Sequence, residues 1–264
     1  MKLHRWTTFS PLQFSVALPI LVIVGLVGAA QAATNNNSDP SAIAWASQAM
    51  TALTGGVQVN SVSLQANATR SIAGNEQTGT VTLQSSGISN SQITVTIGSS
   101  TFSETRSYAT NGPGGQWIDA NGNAHPMAQH NCWTDAVWFF PALSMLVSYA
   151  DPNLVFNDLG QQQYQGRTVE HLRVYRTASG LPQAPAYMLA LMSVTDYYLD
   201  SQTALPVAAV FFAHADNDTA VSIPVEIVFS TYQRVNQAVV PYQITKYYNG
   251  TQLFQISVTS AQVQ

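Results

Sequence analysis

Potential metal ligands crowd into one short stretch, His125-Pro-Met-Ala-Gln-His130-Asn-Cys132-Trp-Thr-Asp135. Imidazole, thiolate and carboxylate are all transition-metal donors. A thiol beside an imidazole is also the core of a Cys–His nucleophile. The spacing supports neither chemistry. The two histidines stand five apart, Cys132 follows His130 by two, and on a helix His130 and Asp135 would face different ways. The stretch reads instead as a loop running into a helix capped by Asn131 or Thr134, with Cys132 and Trp133 packed. Cys132 is the single cysteine, so no internal disulfide can form. Free cysteine is among the most buried residue types, and burial is expected here.

Other chemistries find less support. His214-Ala-Asp216-Asn-Asp218 offers hard oxygens but lacks the glycine and distal glutamate of a calcium loop. It reads as a polar hairpin tip. There is no Gly-x-Ser-x-Gly turn, phosphate loop or dinucleotide fingerprint. Glu76, Glu104, Glu170 and Glu226 fall in separate strands or turns, so no glycosidase-like carboxylate pair is legible. Glu104–Arg106 and Glu170–Arg173 look like charge pairs on strand surfaces. The expectation is a protein that is not an enzyme, with no cofactor and no metal.

The elements that would hold these residues are mostly strands. Ile43, Ala46, Met50 and Leu53 recur at helical spacing over 41–54, with Asp39 or Ser41 as cap and Gly55-Gly56 as stop. Alternating runs follow near 57–64, 78–84, 91–97 and 101–108. Residues 117–130 look irregular, with Asn121-Gly122 as a hairpin tip. Residues 132–149 are strongly apolar and read as two helical pieces either side of Pro141. Strands return near 154–159, 167–176, 194–199, 205–213, 225–232, 242–248 and 253–263, with Asn249-Gly250 between the last two. The sum is ten or eleven strands in an antiparallel meander, with helices at two places.

The N-terminus carries an export signature. Lys2, His4 and Arg5 precede an apolar run from Phe14 to Ala30, and Ala30-Gln31-Ala32 supplies the small residues of a cleavage site. Residues 1–32 are expected to be a signal peptide, 33–40 a flexible lead-in and 41–264 one domain. Cleavage after Ala32 leaves 232 residues carrying 7 basic and 13 acidic side chains, with Lys246 the only lysine. That balance argues against nucleic acid as a partner. The expected location is the periplasm or the medium.

The last third resembles a known family. Asp196-Tyr-Tyr-Leu-Asp200 followed by Leu205-Pro206 is similar to a strand, turn, Leu-Pro, strand passage of LolA-like proteins. Val228-Phe229-Ser230, Tyr232, Val235-Asn236, then Val240-Pro241, Ile244-Thr245, Tyr247 and Asn249-Gly250 resemble their closing strands. The resemblance implies a mainly β (α+β) fold, a strongly curved antiparallel sheet or incomplete barrel with helices over its concave face. It also implies kinship with lipoprotein carriers of the bacterial envelope. Arg70 is either the counterpart of the basic residue that holds the lid in such carriers or, the preferred reading, a surface arginine at a sheet edge.

The aromatic stretch is the remaining feature. Trp133, Trp138, Phe139, Phe140 and Met145 are either ordinary core or the lining of a cavity under a movable flap. The second reading makes the protein a binder of a lipid, acyl chain or other apolar small molecule, with transient envelope contact. The alternative is a non-catalytic structural or interaction domain with a filled core.

Overall fold

A computed structural model describes residues 38–264 except 73 and 111. The expected signal peptide, and residues 33–37 of the lead-in, lie outside the described residues. Ser38 and Asp39 are docked on the domain: Asp39 N–H donates to Phe156 O at 2.8 Å, and Ser38 Oγ accepts from Phe156 N at 3.0 Å. Among the described residues no helix is long and apolar enough to cross a membrane.

Helix α1 spans Pro40–Thr54. Proline suits the first turn because its missing N–H would have no partner there. Ala42, Ala46, Ala49, Met50 and Leu53 form the buried stripe, and Gly55 closes the helix in the left-handed conformation at φ 64°. Asp39 occupies the cap position without capping; its Oδ2 accepts from Asp158 N at 2.9 Å instead.

Thirteen strands follow among the described residues, all antiparallel in one sheet. They are β1 (Ser61–Ile72), β2 (Asn75–Ser86), β3 (Asn90–Ile97), β4 (Ser100–Ala109), β5 (Gly112–Ile118), β6 (Ala124–Pro126), β7 (Leu154–Tyr164), β8 (Arg167–Arg176), β9 (Thr195–Asp200), β10 (Pro206–Ala215), β11 (Asp218–Val235), β12 (Ala238–Tyr248) and β13 (Thr251–Val263). Of the two strands beyond the expected count, β6 lies in the stretch read as irregular, and β5 begins before it in the run Asn111-Gly-Pro-Gly-Gly115, whose composition reads as a turn. Glycines at 112, 114 and 115 blunt the alternation there, although the tip at Asn121-Gly122 is where the sequence puts it. At the other predicted tip, Asn249 and Gly250 both have positive φ, 47° and 74°, as a two-residue hairpin of the mirror-image type requires.

A second helix, α2 (Gln183–Ser193), lies where no helix is expected. The expected helices over 132–149 are instead three separate 3-10 turns, Gln129–Trp133, Pro141–Leu143 and Met145–Ser148. Pro141 cannot donate to Val137, and side chains take the backbone donors a helix would use. Asp135 Oδ1 accepts from Met145 N at 2.9 Å, and Ser144 Oγ accepts from Leu146 N at 3.3 Å.

The strand order is β6-β5-β4-β3-β2-β1-β13-β12-β11-β10-β9-β8-β7. The first and last strands pair at the centre, and the two edges, β6 and β7, are consecutive in sequence. The connection 127–153 must therefore pass from one edge of the sheet to the other. A flat sheet would forbid this. Strands β4 and β8 are nine spacings apart, roughly 43 Å if flat. Yet Arg106 of β4 reaches Asn131 O at 3.3 Å while Arg176 of β8 reaches Trp133 O at 3.4 Å. The sheet is thus curled into an open half barrel, and 127–153 is a strap across its hollow side. Helix α1 packs on β7, β12 and the strap's later turns. The inward residues of the sheet, the helix stripe and the strap form a single apolar core.

Candidate functional site

The strap brings the aromatic residues into the half barrel. Trp138 is 6% exposed, Phe139 and Phe140 are 0% exposed and Met145 is 1% exposed. Trp138 and Phe139 meet edge to face, with centroids 5.8 Å apart. Trp133 is half-buried at the mouth, against Gly112. Four of the five residues thus lie together in the interior and the fifth sits at its rim.

Polar anchors tie the strap to strands on both walls. Arg106 Nη1 donates to Thr134 Oγ1 at 2.9 Å as well as to Asn131 O. Asn131 is clamped to β10: its Nδ2 donates to His214 O at 2.8 Å and its Oδ1 accepts from His214 N at 2.8 Å. His130 Nε2 lies 3.2 Å from Ala215 O. Asp135 accepts from the Tyr197 hydroxyl of β9.

The cluster of potential ligands comes apart in three dimensions. His125 stacks on Trp117 at 4.1 Å and pairs with Asp119 at 3.1 Å. His130 faces His214 edge-on at 6.1 Å, and Asp135 turns inward to Tyr197. Cys132 is buried, its Sγ donating to Ala128 O at 3.6 Å, and burial pushes its thiol up. Among the described residues no three His, Cys, Asp or Glu side chains are grouped to hold a metal ion. The stretch 214–218 is the hairpin tip between β10 and β11, with Asp216 and Asn217 as the turn. Neither Asn131 nor Thr134 caps an α-helix; both bind the sheet or Arg106.

Three expectations about charged residues need correction. Glu104 and Arg106 do pair, at 2.8 Å, but inside the half barrel. Glu104 lies opposite Ile93 in the register, so it shares the apolar face. Burial works against the Glu104 carboxylate, yet Arg106 and Lys246 outweigh it and hold its pKa below the ordinary value. Glu170 and Arg173 do not pair, because residues three apart on a strand point to opposite faces. Arg173 instead forks onto Asp196, with both contacts at 2.8 Å. Arg70 is not at an edge, since β1 is paired on both sides, with β13 and β2. Its guanidinium lies over Phe102 at 5.1 Å and Phe254 at 5.9 Å.

One inward residue was missed altogether. Lys246 is 8% exposed, with Nζ 4.1 Å from the Trp138 ring centroid and 5.4 Å from that of Tyr248. A signal was available: Lys246 has the same parity as Ile244, which the alternation of β12 turns inward.

Burial dominates the remaining titrations. It raises the Asp135 carboxyl, with the Tyr197 hydrogen bond only partly opposing it. It holds the His214 imidazole low, helped by neighbouring His130. Two recesses flank the strap, each about 10 Å³, room for a single water. One is lined by Arg106, Tyr108, Cys132, Trp133 and Arg176; the other lies between Trp138, Tyr197, Ala209, Phe211 and Phe229.

This architecture has counterparts among solved structures. An outer-membrane lipoprotein-sorting protein domain from Vibrio parahaemolyticus overlaps 84% of this chain and 92% of its own, at a TM-score of 0.52 and 12% identity. A DUF1329 family protein from Desulfovibrio piger overlaps 84% of this chain and 91% of its own, at a TM-score of 0.53 and 9% identity. The chain shares the fold of these two proteins. A LolA superfamily protein from Nitrosomonas europaea overlaps 84% of this chain and 93% of its own at a TM-score of 0.47 and 8% identity. No family model matches the sequence, and no curated protein matches it. At these identities the likeness concerns the fold alone and carries no residue's role with it.

Proposed function

We propose that this chain is an exported, non-catalytic envelope protein that holds an apolar chain, a lipid or acyl group, inside its half barrel. The strap is the part that yields to admit it. The observation that carries the reading is the strap itself. It fills the hollow of a curved sheet with Trp138, Phe139, Phe140 and Met145, is built of three single turns rather than a helix, and is tied down by a few polar anchors. An element with so little internal hydrogen bonding can leave as a unit, and an acyl chain would replace the apolar contacts it gives up. The fold shared with a domain named for lipoprotein sorting supports the same reading.

A second reading, a scaffold with a filled core, is favoured by one observation: the recesses beside the strap are water-sized. Binding separates the two. Protein purified without detergent is expected to carry lipid detectable by mass spectrometry and, once stripped, to bind the uncharged probe N-phenyl-1-naphthylamine saturably. No co-purifying lipid and no saturable binding would leave the scaffold. Export is checked independently by intact mass. The mature protein is expected to begin at Ala33, and a mature fraction still carrying residues 1–32 would refute cleavage.

A further inference from the structure

Lys246 is the only lysine outside the first 32 residues, and it points into the half barrel. Among the described residues its ammonium meets no carboxylate at ion-pair distance and no hydrogen-bond acceptor. Its recorded neighbours are the faces of Trp138 and Tyr248. Glu104, the nearby carboxylate, is taken by Arg106. Beyond Lys246 in the same cross-strand row stand Phe254 and then Arg70. The Arg70 Nε is buried with no partner, and the Trp138 Nε1 above the ammonium is likewise unpaired. Glu104 therefore serves Arg106 at contact and Lys246 only at a distance, and Arg70 has no carboxylate at ion-pair distance among the described residues.

Lys246 reaches Glu104 only through space; burying a charge with no contact partner is unfavourable, and an apolar side chain of similar size would ordinarily serve the core better. The arrangement becomes favourable when an anion arrives. Trp138, whose ring the ammonium faces, also lines the apolar recess bordered by Phe211 and Phe229.

We infer that Lys246, with Arg70 two strands away across Phe254, is the seat for the anionic head of an amphiphile whose apolar chain takes the place of the strap's aromatic residues. The Trp138 ring holds that seat while it is empty. This inference rests on the carrier reading and adds the ligand's charge to it. The head chemistry, a single carboxylate or phosphate, is shared by free fatty acids and by the headgroups of acidic phospholipids.

Calorimetric titration of the mature chain with dodecanoate, dodecyl phosphate, dodecanol and dodecyltrimethylammonium tests it. At least one anion is expected to bind about tenfold or more tighter than dodecanol, with the cation weakest. A preference for dodecanoate points to a fatty acid, and a preference for dodecyl phosphate to a phospholipid head. Lys246→Met should abolish the preference and keep dodecanol binding, whereas Lys246→Arg should retain it. The methionine keeps the length of the side chain, and Glu104 keeps its contact partner Arg106, so the fold should tolerate it. Equal affinity for dodecanol and both anions in the wild type, or an undiminished preference in folded Lys246→Met, would overturn the anion seat alone. The wild-type comparison needs no variant to fold. Failure of all four compounds to bind would remove the carrier reading and the seat together.

Discussion

Replacing Phe139 with Asp should lower stability by about 4 kcal/mol or more, enough to unfold a marginal domain. Phe139 is completely enclosed and sits edge-on to Trp138 in the core. The substitution removes a large apolar side chain, which by itself costs roughly 3–5 kcal/mol. It then adds a carboxylate whose desolvation nothing nearby offsets. Phe139→Leu, which keeps most of the volume, should cost under about 1.5 kcal/mol. Thermal melts by circular dichroism make the comparison, and a destabilisation of 4 kcal/mol corresponds to roughly 10 °C for a chain of this length. A Phe139→Asp protein melting within a few degrees of wild type would mean that the strap stands open to water in solution. That outcome would argue for a strap already released, rather than one displaced by ligand.

Asp135→Ala should cost about 3 kcal/mol. Asp135 accepts from Met145 N and from the Tyr197 hydroxyl, which is 1% exposed, so alanine strands two buried donors. Each unsatisfied donor costs about 1–3 kcal/mol. The same residue makes a prediction about pH. Burial raises the Asp135 pKa in the folded state, so the folded chain holds this proton more tightly than the unfolded chain does. The stabilisation is fully present below the unfolded value, about 3.9. It is lost as pH rises through the higher folded value. Glu104 has the opposite sign: its folded pKa is lowered, so its contribution is present above its unfolded value and fades as pH falls. Asp135→Asn isolates the first effect. Its melting temperature relative to wild type should improve steadily as pH rises from 4 to 7, because the variant lacks the carboxylate that wild type must ionise in the core. A constant difference across that range would show that Asp135 titrates normally and that its surroundings admit water.

Both predictions concern the strap, and the strap is where sequence and structure part. Local pattern determined much of the rest. The 3.6-residue stripe from Ala42 to Leu53 places α1. The alternation of Thr78–Gln84 and Ser91–Ile97 marks strands, and Asn249-Gly250 closes the last hairpin. Each of these signals acts over a few residues, so the chain states it directly. The Leu205-Pro206 and Val240-Pro241 passages were among those that suggested a strongly curved antiparallel sheet, and the structure has one open antiparallel sheet. Sequence also identified Trp133, Trp138, Phe139, Phe140 and Met145 as one apolar group, though whether as core or as lining was open.

What only the tertiary structure decided depends on contacts between distant residues. That β1 pairs with β13, and so lifts Arg70 from an edge to the middle of the sheet, follows from closure of a loop of nearly the whole domain. Asp135 and Ser144 take backbone donors from their own strap, which turns an apolar helical pattern into isolated 3-10 turns. Glu104, Arg106, Lys246 and Trp138 converge because the sheet curls until its two wings face each other across the strap. Curvature of that kind is the summed twist of thirteen strands, a property no short stretch of sequence carries. It is the curl that makes a buried charge of Lys246, the one lysine among the described residues.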